Sequence, residues 1–502
     1  MKRLRIFLGA GAFLLCIVTP LFAQQVDIKS TGHIRVRYRD WNDFLLNSDL
    51  PVQGQAGAQA AQAARNRHYF DMRIRMGVAA KIEPGLTAVL EIERWDDFGT
   101  HSLFNASPPA DSASLTTGAV TDPALGFPVG TDAPYFRQAW VDWAIPGTPI
   151  HIVGGRQLYT VGGSIVYSSA IYGGDGIQVY SALGPGTLGG YWWRPQNDSN
   201  RRFADNDFDI FGGSYKFEWM ARNGVEVYGL VSNDKVRAKG QTAYSCAGAP
   251  GDCAQTNEYF LGANFFGVQG PFTYRLEGAY QGGTARKNVA ATAALGNAAG
   301  DIDRSAGMIA GGVSYALVPE LALNLDGGFA SGDDNPADNT SSNFASIYGL
   351  FQPTLLFSEG NPYGNTQAAQ FGNNTTNRAI FGTTFGTSDL DLNAMLDNNS
   401  SRFSPGMFYV KPGVKWVPVK QLTINGDVAL LWAAVSPDGV DSYIGTELDL
   451  KAAWQVYKNL VTNFYFGYLI AGSYFDRPVV AAPNVANVTD PWMARVEFIF
   501  TF

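Results

Sequence analysis

The chain has 502 residues, a formal net charge of −8, 57 Gly, 25 Pro and 13% aromatic residues. Beyond residue 24 it contains no apolar run of about 18 residues, which excludes a helical membrane protein, and no long helical periodicity of the kind a soluble domain of this size shows.

At the N-terminus, Lys2, Arg3 and Arg5 precede an apolar stretch from Ile6 to Val18, and Leu21–Ala23 stand before Gln24. A charged region, an apolar region and a small-residue cleavage site predict a secretory signal peptide over residues 1–23. Loss of its three cations takes the charge from −8 to −11. After cleavage Cys246 and Cys253 remain, in "SCAGAPGDC". Two close cysteines in an exported, Gly/Pro-rich stretch predict one local disulfide. No further ligands lie nearby, so neither a metal nor a cofactor is expected.

Alternating segments then recur. "DIKSTGHIRVRYR" (Asp27–Arg39), "HYFDMRIRMGVAAKI" (His68–Ile82), "LTAVLEIERW" (Leu86–Trp95) and "YFRQAWVDWA" (Tyr135–Ala144) open the series. Period-two alternation predicts strands whose two faces meet different solvents. Strand starts fall near residues 27, 68, 86, 135, 150, 175, 188, 207, 225, 258, 272, 304, 321, 407, 421, 444, 460 and 492. Short connections ("EPG", "IPGTP", "LGPG", "ARNG", "VQGP") alternate with long ones near 40–66, 96–134, 233–257, 283–303, 333–403 and 476–491. Strict segregation of short and long connections predicts an all-β, transmembrane antiparallel β-barrel of about 18 strands, with short periplasmic turns and long extracellular loops. Residues 24–502 form that single barrel, and a closed barrel satisfies every backbone group in lipid.

Apolar sets such as Leu276/Tyr280 and Leu448/Leu450/Trp454 are expected to face lipid and lipopolysaccharide. In the final strand, "PWMARVEFIFTF", Trp492, Ala494, Val496, Phe498, Phe500 and Phe502 alternate with a charged face. A terminal Phe502 on a closing strand resembles the signal by which barrel-assembly machinery recognises its clients. Acidity is confined to two loops: residues 96–134 hold five acids and no Lys or Arg, and residues 333–401 hold seven acids against Arg378. "SGDDNPADN" (Ser331–Asn339) groups three carboxylates but lacks the twelve-residue EF-hand pattern.

A barrel of this size leaves a water-filled lumen, so the chemistry is expected on the inward faces. The first strand presents Lys29, Thr31, His33, Arg35, Arg37 and Arg39; the second presents Arg67, Tyr69, Asp71, Arg73 and Arg75. Arg495 extends this basic wall across the closure, and Arg275, Lys411, Lys415 and Lys451 add cations elsewhere. The inward acids are Glu91, Glu93, Glu226, Glu277, Asp326, Asp427, Glu447, Asp449 and Glu497. These charges either wet a pore and pair across strands, or set a basic arc against an acidic arc that orients a solute. Like charges side by side repel, so clustered cations exceed what wetting requires.

"FRQAWVDW" (Phe136–Trp143), "VGGRQLYTVGG" (Val153–Gly163) and "YGGDGIQVY" (Tyr172–Tyr180), with "FASGDDNPADN" and "GTELDLKAAW" (Gly445–Trp454), resemble the alginate export family of outer-membrane porins. The resemblance implies an 18-stranded barrel whose arginine-rich lumen conducts an anionic polysaccharide, and it adds Arg156 and Asp175 as pore-lining candidates. Alternation from Ile150 and Ile152 turns Arg156 outward, so that role requires a bulge at Gly154–Gly155.

The expected function is passive passage of anionic or polyhydroxylated solutes: oligosaccharide, polyuronate or organic anions. A structural sheath around a periplasmic partner, such as an electron-transfer cytochrome, is the alternative; the chain itself has no "CxxCH" motif. An enzyme is not expected. The four histidines, His33, His68, His101 and His151, belong to no nucleophile or metalloprotease motif, and His33 sits among arginines, a poor setting for a general base. The basic wall faces inward, so nucleic acid is not a partner.

Overall fold

A computed structural model of the chain describes residues 26–42, 67–82, 85–98, 135–170, 173–196, 208–234, 256–286, 301–333, 340–344, 346–347, 354–356, 406–436, 441–475, 490 and 492–502. The expected signal peptide and both Cys246 and Cys253 lie outside these residues.

Eighteen long strands carry the architecture. They are β1 (Val26–Asn42), β2 (Arg67–Ile82), β3 (Leu86–Phe98), β4 (Tyr135–Ala144), β5 (Ile150–Gln157) and β6 (Gly174–Leu183). β7 (Gly186–Gln196), β8 (Phe208–Met220), β9 (Asn223–Asp234), β10 (Thr256–Gln269), β11 (Phe272–Arg286) and β12 (Asp301–Val318) follow. β13 (Leu321–Ala330), β14 (Met407–Val419), β15 (Leu422–Trp432), β16 (Tyr443–Tyr457), β17 (Leu460–Ala471) and β18 (Trp492–Thr501) complete the set. Every start lies within three residues of the position that alternation predicts.

Each strand pairs antiparallel with the next, and β18 returns to β1 from His33↔Thr501 to Asn42↔Trp492. The sheet is therefore a closed barrel without a free edge. With strands about 4.8 Å apart and tilted about 40°, eighteen of them enclose a cylinder roughly 36 Å across between backbones. Tight connections at one end use left-handed residues, Gly184 and Gly270 at φ 59° and Arg222 at φ 67°, where only a two-residue link joins the strands.

The outer surface exposes Trp143, Leu188, Phe211, Leu276, Tyr280, Leu325, Leu448, Leu450 and Trp454. In water such a continuous apolar band is unstable; around a barrel it is the lipid contact.

The interior departs from a fully water-filled lumen, because two segments fold into it. The first is a strap between β5 and β6. Thr160–Val161 pairs with Tyr167–Ser168 as a miniature hairpin, tied at its base by Ser169 N–H to Tyr159 O at 2.7 Å. The second leaves β13, pairs Thr340–Ser341 alongside Asp303–Arg304 of β12, and reaches β16 at Leu355 and Leu356. The two meet where Ile347 N–H donates to Val166 O at 3.0 Å.

The hydrophobic core thus lies inside the barrel. Val161, Ile165, Val166 and Tyr167 of the strap, with Phe344, Ile347, Leu355 and Leu356 of the second segment, pack onto inward residues from Tyr191 and Trp193 round to Ile444 and Leu469. Trp193 is fully buried, stacked on Tyr191 at 3.9 Å and on Tyr167 at 4.9 Å. Each buried apolar side chain contributes about 1.5–3 kcal/mol, enough in sum to hold both segments inside against their ordering entropy.

Candidate functional site

The strap and the second segment pack mainly against β6–β16, with Leu469 of β17 and Met493 of β18 joining their core; beside them, towards the long-loop end, lies the wall of β17, β18 and β1–β5. This stretch carries the densest charge of the described residues.

Arg35 and Arg37 of β1 face inward beside Asp71 and Arg73 of β2. The register sets Arg37 opposite Asp71 and Arg35 directly opposite Arg73. Arg37 Nε donates to both Asp71 oxygens, at 2.7 and 2.9 Å, and Arg35 lies 3.7 Å from the same carboxylate. Asp71 is fully buried. Across the closure, Arg37 is 3.7 Å and Arg495 3.4 Å from Glu497, and Asn463 of β17 donates to Glu497 at 3.4 Å. The Arg495 guanidinium lies 3.7 Å over the ring of Tyr465. On the other flank Arg75 is bonded to Glu93.

Arg137 of β4 completes the network and eluded the alternation pattern. Counting back from Val141 and Trp143 turns it outward. The β3–β4 register, however, slips between Glu91↔Gln138 and Ile92↔Phe136, and this bulge swings Arg137 inward. It bonds Glu91 and the carbonyl of Ala170 at the base of the strap, with Glu93 at 3.8 Å.

The wall is a mosaic in which six arginines (35, 37, 73, 75, 137 and 495) interleave with four carboxylates (71, 91, 93 and 497). Of the two arrangements open from the sequence, the described residues show cross-strand pairing, with a surplus of positive charge, rather than separate basic and acidic arcs. Arg73 Nε and His33 Nδ1 are buried donors or acceptors without a hydrogen-bond partner.

The other predicted residues divide by depth. Lys29, Arg275 and Lys415 are exposed inside the short-turn end, Lys29 beside Asp27 at 3.7 Å and Arg275 bonded to Asp326 at 3.0 Å. Lys451 is half-buried, and Lys411 is buried opposite Asp326. Glu447 and Asp449 face inward but lie beneath the second segment, accepting from Leu356 N–H at 2.6 Å and Leu355 N–H at 3.1 Å. Arg39 stands in register with Tyr69 and Arg495, and Arg67 with Trp41.

Arg156 and Asp175 require a correction. Pairing of β5 with β4 and β6 runs through Gly154 and Gly155 without a register break. Gly155 takes φ 115°, where an added Cβ would strike the Ala139 carbonyl, but the residue count is unchanged. Arg156 and Asp175 remain on the face of Ile152, Ile177 and Val179, the outward one, paired to each other at 3.3 Å. Asp175 stands opposite Arg194, which grips Asp209 with two bonds of 2.9 and 3.1 Å. The four charges form a row on the outside of the barrel.

The family model described as alginate export matches residues 128–488. No curated protein matches the chain. Among solved structures, OccK11 (OpdR) of Pseudomonas aeruginosa is similar with 11% identity and a TM-score of 0.48, over 95% of this chain and 96% of that one. OccAB2 of Acinetobacter baumannii gives 10% identity and a TM-score of 0.49, over 95% and 98%. A BenF-like porin from Pseudomonas fluorescens Pf-5 gives 12% identity and 0.47, over 95% and 98%.

Proposed function

We propose a function from this premise: the chain belongs to the alginate export family. It is an outer-membrane channel, and the arginine mosaic on β17, β18 and β1–β5 is the path of an anionic solute. The observation that carries the reading is the placing of Arg35 directly opposite Arg73 on the inward face of β1 and β2. Like charges facing each other across a strand pair weaken a barrel, so an arrangement that keeps them supports a role in attracting negative charge.

Passage is passive. Among the described residues each ladder arginine except Arg73 has a carboxylate partner, so a carboxylate or phosphate in transit is held by the surplus charge rather than by a full bidentate clamp. Binding that is favourable but weak and repeated along the wall is what conduction needs. The cations at the short-turn end, Lys29, Arg275 and Lys415, raise the local anion concentration at that mouth.

The packed strap argues against the alternative of a sheath, since it occupies the room that an enclosed cytochrome would need. On this reading residues 1–23 direct export, Cys246 and Cys253 close a loop disulfide, and the C-terminal strand is the handle for barrel assembly in a lipopolysaccharide-bearing membrane. Transport, not catalysis, is the activity. The test is the reversal potential of single channels in a salt gradient across a planar bilayer. Anion preference is expected, and cation preference would refute the reading.

A further inference from the structure

The row of four outward charges takes no part in the lumen, and it stands where charge is costly. Arg156, Asp175, Arg194 and Asp209 lie on β5, β6, β7 and β8, each within two residues of the long-loop end of its strand. Arg156 is 3.3 Å from Asp175, Asp175 stands opposite Arg194, and Arg194 bonds Asp209 twice. Deep in the hydrocarbon such outward charges destabilise a barrel, whereas near the interface they are tolerated. Trp192 marks that level. Exposed on the same face of β7, it donates from its indole N–H to Asp209 at 2.9 Å, and its ring lies 5.4 Å from the Arg194 guanidinium. An apolar ring with a satisfied N–H is the posture of a tryptophan at the headgroup level.

The outer rim is not the same all round. The register carries the polar arc on from Asp209 through Asn233, Asn257 and Thr284. At the same end of β13–β16, Phe329, Phe408, Trp432 and Tyr443 stand in register instead, an aromatic girdle. Bulk lipid surrounds a barrel evenly, so a charged arc on one side fits an occupant with charges of its own. Along the first three strands of the arc the order is cation, anion, cation. Asp175 is the most exposed member, at 59% of its side chain, between Arg156 at 19% and Arg194 at 32%. β5 and β7 are two strand spacings apart, roughly 10 Å, a distance that a disaccharide bridges.

We propose that this arc is a lipopolysaccharide headgroup site. Arg156 and Arg194 take the two phosphates of one lipid A disaccharide, and Asp175 accepts from the sugar hydroxyl and amide groups between them. Guanidinium groups match phosphate oxygens with paired N–H donors. Asp209 and Trp192 hold Arg194 in place beforehand, which lowers the ordering cost of binding. The inference rests on the outer-membrane part of the reading above and is independent of anion passage.

The test is native mass spectrometry of the full mature chain released from detergent micelles, with bisphosphorylated lipid A, its phosphate-free form and phosphatidylglycerol as probes. Wild type is expected to retain one lipid A per barrel, and to hold the other two lipids at least about tenfold more weakly, as loss of charge-assisted hydrogen bonds requires. Arg156→Gln/Arg194→Gln, shown to be folded by heat-resistant gel mobility, should lose lipid A by the same factor. Equal retention of all three lipids by wild type would overturn the site without recourse to any variant. So would a folded double variant that binds lipid A like wild type, or a lipid-free dimer of the chain that the two substitutions dissociate. Anion preference without lipid A retention refutes the site alone; lipid A retention without anion preference refutes the channel reading alone.

Discussion

Gly32 lies flat beneath the aromatic ring of Phe502. Their backbones exchange two hydrogen bonds, Gly32 N–H to Phe502 O at 2.8 Å and Phe502 N–H to Gly32 O at 3.1 Å. A Cβ at position 32 would sit inside that ring. The chain thus closes by laying its last side chain over a glycine of its first strand, a cross-strand cover of the kind that compensates glycine in sheets. Phe502→Ala is expected to cost about 1 kcal/mol of barrel stability, and Gly32→Ile a similar amount by displacing the ring. The two changes share one contact, so the double variant should lose less than their sum. Strictly additive losses in urea unfolding from lipid vesicles would mean that the ring and Gly32 share no stabilising contact at the seam.

Arg35 and Arg73 face each other across β1 and β2, so reversing both inverts the local field of this wall. Arg35→Glu/Arg73→Glu should remove or invert anion preference, read on the fraction that keeps heat-resistant gel mobility, since Arg35 stands 3.7 Å from buried Asp71. The shift in reversal potential should shrink in about 1 M salt, where the Debye length falls to about 3 Å. Unchanged selectivity would take these arginines out of the conducting path.

The barrel was legible in the sequence because alternation and connection length are direct consequences of lipid on one side and water on the other. The ladder was legible for the same reason, as with Arg35, Arg37, Arg73 and Arg495. Arg137 was hidden because a single bulge reverses parity, and nothing in "YFRQAWVDWA" marks where it falls. The strap was hidden because its apolar residues, Val161, Ile165 and Val166, are few and flanked by Gly and Ser, like an ordinary turn. Its anchor was nevertheless visible: Glu277, which accepts from Gly163 N–H of the strap, stands on the inward parity of its strand, with no indication of what it holds.

The outward row makes a prediction opposite to the family resemblance. Arg156 and Asp175 pair on the lipid-facing parity at the long-loop end. Arg156→Glu should therefore leave ion selectivity unchanged, and a fluorophore on Cys at position 156 should be quenched by brominated lipid. Loss of anion preference in Arg156→Glu would return this residue to the lumen.

The buried carboxylate at Asp71 should matter far more to stability than an exposed one, and the comparison separates burial from mere pairing. Asp71 is fully buried and accepts two bonds from Arg37, with Arg35 at 3.7 Å. Asp71→Ala leaves two inward guanidinium groups without that carboxylate, a change that costs about 3 kcal/mol or more where a buried pair is broken. Lys216–Glu218 is shorter than the Arg35 contact, at 2.7 Å, but both side chains are more than 40% exposed, and such pairs contribute at most about 0.5–1 kcal/mol. Glu218→Ala should accordingly be close to neutral in urea unfolding from vesicles. Replacing Arg37 as well, in Asp71→Ala/Arg37→Met, should recover part of the loss, because the penalty lies in the charge left behind rather than in the missing bond. Equal losses for Asp71→Ala and Glu218→Ala would show that water reaches the ladder as freely as it reaches the mouth, and the buried mosaic would then have no energetic reality.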